Sequence, residues 1–328
     1  MKLKQIIDVK KWPRRKMLGV GYGTREKILL KQTKWGKVYF MAKTFGKDIG
    51  ELRSEVCAST IGRVFDFPVQ KTWFCILPDL KMFPHPLGVL VQLDVRRERY
   101  TKRNQFKENL IHGADLIGSV DKNFTKMQSL PKRRNAYTLD LVIKALRAYV
   151  RKNSKAKIVW EQFFNLLVFD ALIGGTDRHY NNWGILEKAD DSEFKFIKLA
   201  PAFDNGVSLL WKIDEYGPKF KKDLLIQHFI KKPQSMFKKS NGGKYNLYEV
   251  LEAFYSIPEL KGSCVAKKIF RRLDSVKIGL LKHTMIKNIP QSPEFRSEEK
   301  ELLIVCQYVI MRLDLLKQQL LKIDKIYK

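Results

Sequence analysis

Cysteine is scarce and scattered. Cys57, Cys75, Cys264 and Cys306 stand too far apart for a zinc ribbon or a redox C-x-x-C pair, and they read as core thiols. Long apolar runs are missing as well. The most apolar stretch, Ile158 to Ile173, is interrupted by Glu161, Gln162, Asn165 and Asp170, which hydrocarbon would penalise, so no integral membrane span is expected. Met1 to Lys16 is charged and has no apolar block longer than Ile6-Ile7, so no secretory signal peptide is expected and synthesis in the cytoplasm follows. With 19 Gly and 12 Pro, and no internal repeat or low-complexity block, the chain is neither fibrous nor disordered. Acidic residues are few: 34 Asp plus Glu against 63 Lys plus Arg leave a formal net charge of +29. That excess favours acidic or phosphate-rich partners and says nothing about fold.

What remains is a globular composition, 45% hydrophobic and 12% aromatic over 328 residues, enough for a full-sized core and about two domains. The period of the apolar pattern changes near residue 95, which sets the expected boundary between an N-terminal unit, 1–94, and a C-terminal unit, 95–328. Short β-rich runs fill the first: Met17 to Tyr22, Lys27 to Leu30, Lys37 to Lys43, Val69 to Leu77 and Leu87 to Leu93. A helix from about Asp48 to Phe65 interrupts them, with Leu52, Val56, Ile61 and Val64 on one face. The second unit reads as mainly helical, most clearly over Leu139 to Val150, Val159 to Ile173, Tyr245 to Phe254 and Glu298 to Lys322. Ser297 is the expected cap of the last helix, and Leu302, Val305, Val309, Leu313, Leu316 and Leu320 form its core stripe. The lysine-rich stretch from Val207 to Asn246, with its turn signals, reads as a mobile surface segment.

The sharpest local signal follows the apolar helix: Gly174-Gly175-Thr176-Asp177-Arg178-His179-Tyr180-Asn181-Asn182-Trp183-Gly184. Asp177 and Asn182 are five apart, the spacing at which a phosphotransferase loop aims a carboxylate at the incoming hydroxyl and an amide oxygen at magnesium. An Asx-type turn would also account for it. Downstream, the apolar run Leu199-Ala200-Pro201-Ala202-Phe203 ends on Asp204-Asn205-Gly206, a strand-end acid suited to a metal or an ordinary hairpin turn. In the strand Lys37 to Lys43, Lys43 shares a face with Tyr39 and Met41 and is either a lysine that needs an anion or carboxylate, for which Glu55 is a candidate, or a solvated edge lysine. Before it, the turn containing Gly19, Gly21, Gly23 and Thr24 offers backbone amides to phosphates.

Glycine turn, strand lysine, helix glutamate, Asp-x-x-x-x-Asn loop and strand-end Asp occur in the order that ATP phosphotransfer requires. The arrangement resembles the protein-kinase-like fold, and within it the HipA family of bacterial Ser/Thr kinases, in particular its small, lysine-rich, cell-translocating type. Three details carry the likeness: the helix leading into Thr176-Asp177-Arg178-His179 with Asn182, the Leu-Ala-Pro-Ala-Phe-Asp run to Asp204, and Glu55 in its helix. The resemblance implies an α+β, two-lobed fold with a small antiparallel β-rich N-lobe and a larger helical C-lobe. It implies ATP and Mg2+ as cofactors, with Lys43 on the α- and β-phosphates and paired with Glu55. Asp177 would deprotonate the acceptor hydroxyl, and Asn182 and Asp204 would hold magnesium. Backbone groups of Val91, Gln92 and Leu93 would meet adenine, and His179 would sit near the γ-phosphate or pack within its own loop. The implied acceptor is a protein Ser or Thr, including the kinase's own, and a monomer and a virulence effector exported into host cells are further implications. The glycine turn departs from the family in having no serine.

Two alternatives stand beside this reading. The Asp-Arg-His loop and the positive charge suit a phosphoinositide-type lipid kinase at an anionic membrane surface. A non-enzymatic nucleic-acid-binding protein would explain the charge but leaves the ordered acid and amide residues without a role, and no zinc module or ribonucleoprotein motif is present.

Overall fold

The computed structural model describes residues 6–15, 27–32, 38–44, 48–79, 86–93, 108–127, 130–189, 194–212, 230 and 233–327. The expected strand Met17 to Tyr22, and with it Gly19, Gly21, Gly23 and Thr24, lies outside them.

The first part is a six-stranded sheet in the order β1-β5-β6-β4-β3-β2, made from β1 (Ile7–Asp8), β2 (Arg14–Arg15), β3 (Lys27–Gln32), β4 (Val38–Lys43), β5 (Thr72–Ile76) and β6 (Leu87–Gln92). All pairings are antiparallel except that of the edge strand β1 with β5. Alternation in β4 separates two faces. Phe40 and Ala42 join Ile7, Val9, Leu30, Trp73, Cys75 and Leu90 in an outer cluster. Val89 and Val91, opposite Lys43 and Met41 on β6, belong to the main core instead.

Helix α1 (Ile49–Val64) joins β4 to β5, and the Asp48 side chain caps it by accepting the Gly50 N–H at 2.9 Å. The expected apolar face is only part of its burial. Every residue from Gly50 to Gly62 is buried, including Arg53, Ser54, Glu55, Ser59 and Thr60. A helix so polar is buried on all sides only if its polar groups find partners in the surrounding chain.

The larger part holds α2 (Gly113–Gly118), α3 (Lys122–Lys126), α4 (Leu130–Ala136), α5 (Leu139–Lys152) and α6 (Val159–Ile173), followed by α7 (Glu249–Tyr255), α8 (Val265–Ser275), α9 (Ile278–Asn288) and α10 (Glu299–Ile326). It also contains an antiparallel sheet that the helical reading omits: β7 (Glu108–His112), β8 (Gly184–Ala189) and β9 (Phe194–Leu199), in that order. One continuous core runs from α1 and the inner face of the first sheet through α6 to α10, and Phe74 of β5 stacks on Phe295 at 4.2 Å.

Several expectations are corrected here. The stretch from Val207 to Asn246 is a surface segment only in part where it is described: Leu209 and Phe237 are fully buried, Ser240 to Lys244 is exposed, and β10 (Gln234–Lys238) pairs with β11 (Lys244–Asn246). That pairing also moves the start of the helix expected at Tyr245 to Glu249. Ser297 does not cap α10. Its hydroxyl donates to the Pro290 carbonyl at 2.6 Å, and Glu298 occupies the cap position. Of the four cysteines, Cys264 is exposed and the other three are buried.

Candidate active site

Lys43 ends β4 on the inner face of the sheet. Its Nζ lies 2.8 Å from Asp204 Oδ1 and 3.9 Å from Glu55 Oε1, which brings together three residues spread over 161 positions. Glu55 is wholly buried, with the Lys43 charge and the Asn205 backbone N–H as the groups that favour its ionised form, whereas 43% of the Asp204 side chain is exposed. Burial pushes the Glu55 carboxyl up, the Lys43 charge pulls it down, and Asp204 pushes it up again. Lys43 therefore holds two acids, one inside the core and one facing solvent.

Asp204 owes its position to the chain on both sides. Ala202 donates to Pro68 O at 2.8 Å and accepts from Gln70 N at 3.0 Å, which ties the end of this segment to the connection between α1 and β5. Asp204 itself adopts φ +57°, a left-handed conformation unusual for a residue with a side chain and common at functional turns. The following residues lie along α1. Arg53 donates to Leu210 O at 3.2 Å and to Arg296 O at 3.3 Å, and the Ser54 hydroxyl donates to Ser208 O at 2.8 Å. A Cβ on Gly50 would collide with the Trp211 carbonyl.

The loop bearing Asp177 begins where Gly174 ends α6 at φ +65°, with the Tyr308 hydroxyl where a side chain would go. Arg178 is its hub. The guanidinium donates to both carboxylate oxygens of Asp170 at 3.0 and 2.7 Å, to the carbonyls of Asn182 at 2.6 Å and Phe203 at 2.7 Å, and to Asn205 Oδ1 at 2.7 Å. One buried cation thus fixes the Asp177–Asn182 loop against the segment carrying Asp204. Burial opposes the charge on Arg178, and the Asp170 carboxylate more than restores it. From the other side, Tyr137 donates to Arg178 O at 3.2 Å and accepts from Trp183 Nε1 at 2.9 Å.

Inside the loop, Asn182 Nδ2 donates to the Asp177 carbonyl at 2.8 Å, so Oδ1 is the atom left for a cation. His179 Nδ1 accepts from Asn181 N at 3.1 Å, which requires the proton of the neutral ring to be on Nε2. Burial pushes His179 down to about 4. His112 donates from Nδ1 to Asn181 O at 3.1 Å, and burial likewise lowers its pKa.

Among the described residues no group of three or more His, Cys, Asp or Glu side chains forms a metal cage. An Asp carboxylate and an Asn oxygen nonetheless fit magnesium at a nucleotide site, where phosphates and waters complete the octahedron. Val91, Gln92 and Leu93 close β6. The N–H groups of Gln92 and Leu93 already donate to Lys71 O at 2.9 Å and Tyr39 O at 3.0 Å, so those two donors are taken up within the small lobe. Asp170, Arg178 as hub, Asn205 and His112 are site residues that the motif reading does not single out. Asp170, an acid deep in an apolar helix and well past the first turn that holds Glu161, is the signal that could have found the first two.

A sheet whose strand lysine faces a helix glutamate, set over a helical body that presents the Asp-x-x-x-x-Asn loop and a strand-end Asp, is the two-lobed protein-kinase-like architecture. The crystal structure of a Helicobacter pylori proinflammatory kinase, CtkA, shares it with a TM-score of 0.69 at 19% identity, over 97% of this chain and 99% of that one. The HipA-like C-terminal domain matches residues 21–240, and the chain belongs to that family. In sequence it is 31% identical over 139 residues to the serine/threonine-protein kinase CtkA of Helicobacter pylori strain J99, a match covering 42% of this chain and 40% of that kinase. The Shewanella oneidensis HipA structure, solved with HipB and operator DNA, aligns with a TM-score of 0.48 at 14% identity, over 94% of this chain and 68% of that one.

Proposed function

We propose that this protein is an ATP- and magnesium-dependent kinase that phosphorylates protein Ser or Thr hydroxyls, including its own. The observation that carries the reading is the convergence of Lys43 on Asp204 and Glu55, beside a loop that Arg178 locks to the Asp204 segment. The family and the fold shared with a kinase support it. We keep the division near residue 94 as the line between the nucleotide-binding lobe and the catalytic lobe.

In this reading Lys43 leaves Asp204 for the α- and β-phosphates while Glu55 keeps its ammonium oriented. Asp204 and Asn182 Oδ1 hold magnesium, which neutralises charge on the phosphates. Asp177 takes the proton of the acceptor hydroxyl as its oxygen bonds to the γ-phosphorus, and the bond to the bridging oxygen breaks to release ADP. In the same reading His179, neutral and carrying its proton on Nε2, would donate to a γ-phosphate oxygen. Little else is needed, because alignment and charge neutralisation account for most of the rate.

The test is incubation with γ-labelled ATP and magnesium, with a basic protein acceptor and inositol-lipid vesicles in parallel. Label on the protein acceptor and on the kinase is expected. Label only on lipid would favour the phosphoinositide-type reading, and no label with either acceptor would remove the enzymatic one.

A further inference from the structure

We propose that Lys27 is a second phosphate-binding cation of the cleft, set beside Lys43 to hold the nucleotide's triphosphate. The inference rests on the kinase reading above and adds a residue to it.

The argument starts from strand register. Lys27 at the start of β3 lies directly opposite Lys43 at the end of β4. Residues paired in this way put their side chains on the same face, with Cβ atoms about 4.5–5.5 Å apart, and like charges so placed repel. The face they share is the inner one, where Lys43 meets Asp204. Lys27 is half-buried, and no carboxylate lies within salt-bridge distance of it among the described residues. The charged groups that act on it are Lys43, which disfavours its ammonium, and Asp204, which favours it, while burial disfavours it most. The Lys27 charge also disfavours protonation of His112, whose Nδ1 lies 3.1 Å from the Asn181 carbonyl in the loop that carries Asp177.

Two ammonium groups facing each other in a partly buried sheet are an unfavourable arrangement for a cleft that stays empty. The two nearby acids do not balance them once Asp204 turns to a divalent cation, because Glu55 is enclosed in the core, 3.9 Å from Lys43, and also answers to the Asn205 backbone and Arg178. A chain of phosphate oxygens supplies what is missing, a run of acceptors long enough for both lysines. Lys27 is not an edge lysine in open solvent: β3 lies between β4 and β2, and its side chain is half-buried opposite Lys43.

The test measures binding of Mg-ATP, Mg-ADP and adenosine to the full chain and to its Lys27→Met and Lys27→Arg variants by calorimetry, with the melting temperature of each ligand-free protein. Lys27→Met should bind adenosine within about twofold of the parent and Mg-ATP about tenfold or more weakly, as expected for the loss of one charge-assisted contact. Its ligand-free melting temperature should equal or exceed the parent's, since a repulsion is removed. Lys27→Arg should stay within about threefold of the parent for Mg-ATP. Equal Mg-ATP affinity in Lys27→Met and parent would overturn the proposal while leaving the kinase reading intact, as would adenosine and ATP weakening together. A parent that binds no Mg-ATP would overturn both.

Discussion

Asp170 and Arg178 show how one buried pair can order a site made of distant segments. Asp170 sits in the apolar α6, where burial pushes its carboxyl up and the guanidinium eight residues later pulls it back. Removing the cation leaves an unpaired buried acid and frees the carbonyls of Asn182 and Phe203. Arg178→Met is therefore expected to cost about 3–5 kcal/mol in urea denaturation and to reduce turnover as well. Asp177→Asn tests a different role, because its backbone carbonyl still holds Asn182. Nucleotide affinity should stay within about threefold, with turnover falling about 100- to 10,000-fold in the labelled-ATP assay. Acidity gives a third check. His179 is held neutral, about 4 against an ordinary value near 6.5, so the unfolded chain binds its proton first as pH falls. Its part of the stability is intact above about pH 6.5 and is lost progressively down to about 4, with His112 acting in the same direction. The slope of melting temperature against pH across that window should flatten in His179→Gln.

Helix α1 is tied to distant parts of the chain at several points. Gly50, Arg53 and Ser54 attach it to the backbone between Ser208 and Trp211, and the Thr72 hydroxyl donates to the Glu55 carbonyl at 3.2 Å. Gly50→Ala would push the Trp211 carbonyl away and should cost about 1–3 kcal/mol by overpacking, with a raised KM for ATP because Glu55 moves with the helix. At the other end of the site, Gly174→Ala meets both a left-handed φ and the Tyr308 hydroxyl. The double variant Gly174→Ala/Tyr308→Phe should recover part of the lost stability in a double-mutant cycle, since the hydroxyl is the nearest atom. The elements most legible in the sequence were those with a clean period: α6, β4 with Lys43 beside Met41, and the stripe of α10. The β7–β9 sheet was not, because β7 is separated from β8 by five helices and pairs with it only when the loop at 174–183 folds back. The polar burial of α1 was hidden for a similar reason, since the acceptors of Arg53 and Ser54 are backbone carbonyls more than 150 residues away.

For the molecule as a whole, a nucleotide held as proposed would stabilise both parts through their common core. Mg-ATP at about 100 times its Kd should add about 2.7 kcal/mol to unfolding, and chelating magnesium with EDTA should remove most of the rise in melting temperature. The net charge of +29 acts separately from this cleft. Any attraction to nucleic acid or anionic lipid that arises from it should fall steeply with salt and be unchanged in Asp204→Asn. Among the described residues no helix is long and apolar enough to cross a membrane.

The order of the chemical groups along the chain, the alternation that puts Lys43 on the inner face and the periodic stripes of the helices follow from neighbours a few positions apart, and a reader of the residues can recover them. Contacts between remote segments follow from no such pattern. Lys43 with Asp204, Arg178 with two carbonyls and an amide, and Lys27 opposite Lys43 arise only when strand register and core packing bring those segments together, because a buried charge takes whichever partner the fold delivers.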